Sequence, residues 1–148
     1  MTLVPLRKDQ LDCLRAIIQT RLEESNLTTL TSVDFIIAKL ASFYGMRCAG
    51  AYVDDVDSPK HCLLMTHFPS SLIHGTVAYV SLIYSLPSAR GNAEDAQVLF
   101  NTAENYARLN GAIAVSGSSW TFRGSKGTDA LWKSQKYEVQ ETVYLKTL

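Results

Sequence analysis

The sequence predicts an α/β (α+β) fold, with a mixed, mostly antiparallel central sheet of about six to seven strands and about four helices. Three observations carry this. Thr76–Leu86 alternates as a strand and leads through a tight turn into an amphipathic helix over about Ala93–Leu109. Two amphipathic helical stripes precede that unit. Strand-like tracts flank it, two of them joined by a turn rich in Asp, Ser and Pro.

Thr2–Leu6 reads as a short leading strand. Leu11, Leu14, Ile18 and Leu22 fall on one helical stripe, with Asp9 placed to cap its start and Asp12 near the positive end of the helix dipole. Thr31 or Ser32 caps a second helix that turns Val33, Ile36, Ile37, Leu40 and Tyr44 inward, and Gly45 stands where a left-handed C-terminal residue is wanted. Met46–Val53 and His61–His67 pair as a hairpin across Asp54–Lys60. In the strand from Thr76, the pattern puts Val77, Tyr79, Ser81 and Ile83 on one face and Ala78, Val80, Leu82 and Tyr84 on the other. The third helix carries Ala96, Leu99, Phe100, Ala103, Tyr106 and Ala107 inward, with Asn92 as its cap and Asn110-Gly111 as its stop. Ala112–Val115 is a short, buried strand of parallel type. Ser116–Gly127 is a loop, Thr128–Gln135 a short helix, and Tyr137–Thr147 a closing strand with Tyr137, Val139, Val143 and Leu145 alternating.

A chain of 148 residues, 47% hydrophobic, fits one compact domain over residues 1–148. Lys and Arg (14) balance Asp and Glu (14) and are scattered, so the footprint of a nucleic-acid binder is missing. No basic leader is followed by a long apolar stretch, and no run approaches membrane-spanning length, which gives the expectation of a soluble, cytoplasmic protein without a membrane partner. Cys13, Cys48 and Cys62 are odd in number and lack a CxxC pair, so they read as small buried hydrophobes. No metal site is expected.

The turn Leu86-Pro87-Ser88-Ala89-Arg90-Gly91-Asn92-Ala93-Glu94-Asp95 joins strand to helix N-terminus, the parts needed to hold an anion on backbone N–H groups. It resembles the signature segment of the GNAT acetyltransferase superfamily, Arg/Gln-x-x-Gly-x-Gly/Ala followed by a helix. Here Ala93 and Asp95 stand at the two small-residue positions. The element order and the tract Thr128–Glu138, which resembles the family's Ala-x-x-x-Tyr-x-Lys-x-Gly-Phe ending, extend the likeness over the whole chain. Short GNAT-like proteins of tailed phages are also similar.

The resemblance implies the GNAT-like fold and acetyl-CoA or another acyl-CoA as cofactor. The pantetheine arm would lie along Ile83, Tyr84, Ser85 and Leu86, with the pyrophosphate on Arg90, Gly91, Asn92, Ala93, Glu94 and Asp95. Ala93 is a mild departure, because a methyl group costs little room. Asp95 is a larger one: a carboxylate there repels a pyrophosphate by roughly 1 to 4 kcal/mol, and its alternative role is a reciprocal cap with Asn92. Arg90 is either a phosphate fork or a solvated surface residue.

The family's general acid is a tyrosine whose position is held here by Trp132, which has no suitable proton. Tyr84 and Tyr79 are the candidate replacement phenols, each with a competing role in sheet packing. His67, His74, Asp54, Asp55 and Asp57 are candidate bases, and Ser116, Ser118 and Ser119 candidate ligand contacts, with ordinary loop roles as the alternative. Two readings follow. One is an acyl-CoA-dependent N-acyltransferase acting on an amine. The other is a catalytically inactive GNAT-fold protein serving as an interaction or structural component, for instance of a phage particle, with Trp120, Phe122 and Arg123 as its protein contact. The closing strand leaves an edge on which a homodimer could form.

Overall fold

The computed structural model describes residues 1–25, 27–118 and 126–139. Two compact units are distinguished, Met1–Ser118 and Ser119–Leu148. The first contains a five-stranded sheet in the order β1-β2-β3-β4-β5. Its strands are β1 (Val4–Pro5), β2 (Ala49–Val53), β3 (His61–Pro69), β4 (Thr76–Ser85) and β5 (Ala114–Gly117). Successive pairs from β1 to β4 are antiparallel, and β5 runs parallel to β4. Pro5 is tolerated because β1 is an edge strand.

Lys8–Leu14 forms a 3-10 segment leading into α1 (Arg15–Glu24), and α2 (Val33–Gly45) and α3 (Ala93–Leu109) follow. The stripe Leu11, Leu14, Ile18 and Leu22 is buried as expected. The first turn closes differently: Gln10 Oε1 accepts from the Arg7 N–H at 2.9 Å, while Asp9 pairs with the Arg7 side chain at 3.1 Å. Ser32 Oγ caps α2 by accepting from Phe35 N at 3.1 Å. The left-handed residue that ends α2 is Arg47 (φ 56), not Gly45. The chain winds on past the glycine, and Cys48 N closes back on Phe43 O at 3.1 Å. This extra winding delays β2 to Ala49.

One core cluster gathers Leu14, Ile17, Ile18, Leu22, Ile37 and Leu40 from the first helices with Ala51, Val53, Cys62, Leu64 and Tyr84 from the sheet. The helix α3 packs on β3, β4 and β5 and buries Leu99, Phe100, Ala103, Tyr106 and Ala107. It lies on the opposite face, where Tyr106 meets His67 and Tyr52. Gly50 makes that contact possible: a Cβ there would stand 2.7 Å from Tyr106 Cε2.

The register between β3 and β4 slips at Leu64/Met65: Leu64 is opposite Leu82, but Met65 is opposite Val80. Ser81 is therefore the extra residue of a β-bulge. Because directly opposed residues share a face, Leu82 and Tyr84 lie with Leu64 and Cys62 toward α1 and α2, while Ile83 lies with Leu63 toward α3. The alternation expected from sequence holds from Val77 to Ser81 and inverts beyond it. A further difference is that β5 is half-buried to exposed, not buried.

The second unit contains α4 (Lys126–Ser134). Trp132 is buried and stands edge-on to Tyr137, with ring centroids 4.9 Å apart. Tyr137–Val139 have no regular structure, and the rest of the expected closing strand lies outside the described residues, as does the Trp120, Phe122 and Arg123 loop.

Candidate functional site

The bulge ends one pairing and exposes another edge. Parallel pairing to β5 covers Val77 to Val80 and is last seen at Val80↔Gly117, so among the described residues Ser81–Ser85 have no strand on that side. Which main-chain groups face the opening follows from the hydrogen bonds. Leu86 N donates across to Lys60 O at 2.8 Å, while His61 N, opposite Ser85, donates to Asp54 Oδ1 at 2.8 Å. His61 and Ser85 are thus a non-hydrogen-bonded pair, and so, two residues along, are Leu63 and Ile83. Ile83 and Ser85 turn their N–H and C=O groups to the open edge.

The edge leads to the turn. Pro87–Ala89 makes a single 3-10 turn, and Gly91 adopts φ +94 with nothing near a would-be Cβ, a conformation glycine tolerates at little cost. Asn92 Oδ1 then caps the 17-residue α3, accepting from Glu94 N at 2.9 Å and Asp95 N at 3.4 Å. Two of the four orphan donors of the helix are thereby satisfied within the chain. Ala93 and Glu94 are exposed.

The Asp95 carboxylate does not return to Asn92. It turns under the helix, with Oδ2 3.8 Å from His61 Nε2 and Oδ1 3.6 Å from the Met1 amino group, and its side chain is only 18% exposed. The buried His61 in turn places Nδ1 2.8 Å from Ser85 Oγ. Sequence reasoning missed His61, because the β3–β4 register that sets it opposite Ser85 is not written in the pattern of either strand.

Arg90 turns back along β4. Its Nε donates to Ser85 O at 2.9 Å and its terminal nitrogen to Glu24 Oε2 at 2.7 Å, with the guanidinium 5.1 Å from the Tyr84 ring centre. Tyr84 is buried and donates its hydroxyl to the same Glu24 oxygen at 2.7 Å. The Arg90 hydrogen bond holds the Glu24 carboxyl below the usual carboxylate range. Burial first, and the Glu24 contact second, push the Tyr84 phenol well above its ordinary value. Glu24, at the end of α1, is 60 and 66 residues from its partners Tyr84 and Arg90, and no local pattern announces it.

The remaining candidates lie elsewhere. His67 Nδ1 is 2.7 Å from Tyr106 Oη beneath α3, and Tyr106 is raised above the usual phenol range by burial and then by Tyr52. His74 is in the exposed β3–β4 connection. Asp54 Oδ1 accepts from Lys60 N and His61 N, and Asp55 Oδ1 from Asp57 N, so both close the hairpin turn. Tyr79 lies 6.5 Å from the Phe68 ring. Ser116 and Ser118 are exposed; Ser119 is outside the described residues. Cys62 is fully buried, and burial pushes its thiol up to about 12. Among the described residues no three His, Cys, Asp or Glu side chains group to hold a metal ion, and no helix is long and apolar enough to cross a membrane.

Bulge, open edge and capped turn belong to a fold shared with solved acetyltransferases. The ribosomal-protein-alanine N-acetyltransferase of Brucella melitensis superposes with a TM-score of 0.73 at 14% identity, covering 100% of both chains. The aminoglycoside 6'-N-acetyltransferase of Acinetobacter haemolyticus gives 0.72 at 14%, covering 100% of this chain and 99% of that one. A predicted acetyltransferase of Clostridium acetobutylicum, solved with acetyl-CoA, gives 0.74 at 14%, covering 98% and 95%. No family profile matches the chain, and no curated protein matches it. The fold is GNAT-like.

Proposed function

We propose that the chain is an acyl-CoA-dependent N-acyltransferase, transferring an acyl group from the cofactor's thioester to an amine, and that residues 1–148 work as one domain. The observation that carries this is the bulge at Ser81, which leaves the main-chain groups of Ile83 and Ser85 on an open edge that runs into the Gly91 turn and the N-terminus of α3. An extended amide-bearing arm adds to such an edge as a strand does, and a pyrophosphate suits a helix N-terminus. The fold's solved neighbours include proteins named for N-acetyl transfer and one bound to acetyl-CoA.

The chemistry is direct attack of the neutral amine nitrogen on the thioester carbonyl. The carbon–sulfur bond breaks, the thiolate leaves, and the amine's proton passes to water. Tyr84 holds its proton on Glu24 and is no acid for this step, and Trp132 has none to give. Because a thiol ionises at about 8.5, its thiolate leaves without an obligatory acid. Titration calorimetry with acetyl-CoA and with free CoA tests the binding, and thiol release with a panel of amines tests the transfer. Micromolar binding with amine-dependent thiol release is expected.

A second reading is supported by the same turn. The groups a cofactor would use are already satisfied: Glu94 N and Asp95 N by Asn92, Ser85 O by Arg90, and Arg90 by Glu24. A protein that had given up catalysis and served as an interaction component would settle into such a state. Acetyl-CoA binding with no transfer to any amine would favour it.

A further inference from the structure

We infer that Glu24 is a latch on the cofactor edge: it holds Arg90 across Ser85 O and so competes with the acyl cofactor for that arginine and that carbonyl. The inference rests on the cofactor reading above and adds to it a residue that sets affinity. Two contacts define the latch. The Arg90 guanidinium gives Nε to Ser85 O and a terminal nitrogen to Glu24 Oε2, so one side chain fills an acceptor on the open edge while its charge is neutralised by a carboxylate. The guanidinium also lies over the Tyr84 ring, and the Tyr84 hydroxyl fixes the same Glu24 oxygen.

Each contact is one that a cofactor must replace. An arm adding to β4 needs Ser85 O for one of its amide N–H groups, because Ile83 and Ser85 alone turn their main-chain groups to that edge between the bulge and Leu86. A phosphate at the Gly91 turn attracts the nearest cation, and Arg90 immediately precedes that glycine. Both demands are met by one movement, rotation of Arg90 away from Glu24. The arginine is 46% exposed and Glu24 32%, so neither is walled in, and the rotation exchanges one charge-assisted pair for another without opening the core.

Glu24 therefore acts through Arg90 as a positioning residue, and its removal separates two quantities that a merely structural tether would move together. Without the carboxylate, α1 loses its tie to the turn and the melting temperature falls. Arg90 is released from its anion, Ser85 O is easier to vacate, and acetyl-CoA binds more tightly. A residue important only for folding would lose stability and affinity alike.

The test is calorimetric titration of acetyl-CoA into the full chain, its Glu24→Ala variant and its Glu24→Gln variant, with a thermal melt of each. Glu24→Gln keeps the side-chain volume and an acceptor for Tyr84, which secures a folded comparison. The latch predicts a Kd at least three-fold lower for Glu24→Ala, a smaller decrease for Glu24→Gln, and lower melting temperatures for both. Wild-type binding with no tightening in either folded variant overturns the latch and leaves the cofactor reading standing. No binding by any of the three proteins at millimolar ligand overturns both.

Discussion

Replacing Asp95 with Asn tests whether a carboxylate in the first turn of α3 opposes the cofactor. The Asp95 N–H is one of the donors at the helix start, so a phosphate accepting from it stands about 5–6 Å from the side-chain carboxylate, where unit charges repel by about 0.7 to 1.7 kcal/mol at effective dielectric 80 to 40. That corresponds to a gain in affinity of about three- to fifteen-fold on removing the charge. The upper part of this range is trimmed by the amino group of Met1, which already faces the carboxylate at 3.6 Å. A three- to ten-fold tighter Kd for acetyl-CoA is expected in low salt, measured by calorimetry. The gain should shrink as the Debye length falls to about 8 Å at 0.15 M salt. The same change weakens the tie to His61, so the melting temperature should fall. Unchanged or weaker binding in low salt would refute the electrostatic reasoning and leave Asp95 as an anchor for His61 alone.

Two further outcomes follow from other parts of the molecule. Gly50→Ala forces a methyl to 2.7 Å from Tyr106 Cε2, and overpacking of that kind costs about 1–3 kcal/mol. Denaturant unfolding should show the loss, and Tyr106→Leu in the same chain should recover part of it. For Glu24, the folded pKa is depressed, so its contribution is present above the unfolded carboxylate value of about 4.3 and is lost as pH falls through the folded value. The melting temperatures of wild type and Glu24→Gln should differ above about pH 5 and converge below that window.

Much of the fold was legible because its signals are local. The strand from Thr76, its alternation as far as Ser81, the Asn92 cap and the inward stripe of α3 each depend on residues within a few positions of one another, and each formed as read. The failures mark where distant or main-chain physics decides. The bulge leaves no trace in the apolar alternation, which continues through Ser81, so the pattern sets Leu82, Ile83 and Tyr84 on the faces opposite to those they occupy. Gly45 has the composition of a helix stop, but Arg47 bears the left-handed conformation because the closing bond from Cys48 reaches Phe43. Ala112–Val115 reads as buried from its apolar run, although β5 begins at Ala114 and is only partly covered.

The candidate site divides in the same way. Its backbone parts, the strand end, the Gly91 turn and the helix start, were visible in the order of residues. Its side-chain wiring was not. Nothing near Arg90 in sequence points to Glu24, and nothing near Asp95 points to His61, because both partners arrive through packing of α1 and pairing of β3. Arg90, which its neighbours present as a phosphate fork or a solvated residue, is held in an ion pair with Glu24.

On the proposed function, an acyl-CoA lies along the Ile83–Ser85 edge with its pyrophosphate at the start of α3. Amide chemical-shift mapping during titration with acetyl-CoA reads that placement residue by residue. Saturable shifts concentrated at Ile83, Ser85 and Gly91–Asp95, with little change at Ala51 or His67, are expected. Shifts clustered away from this edge, or none at millimolar ligand, would contradict it.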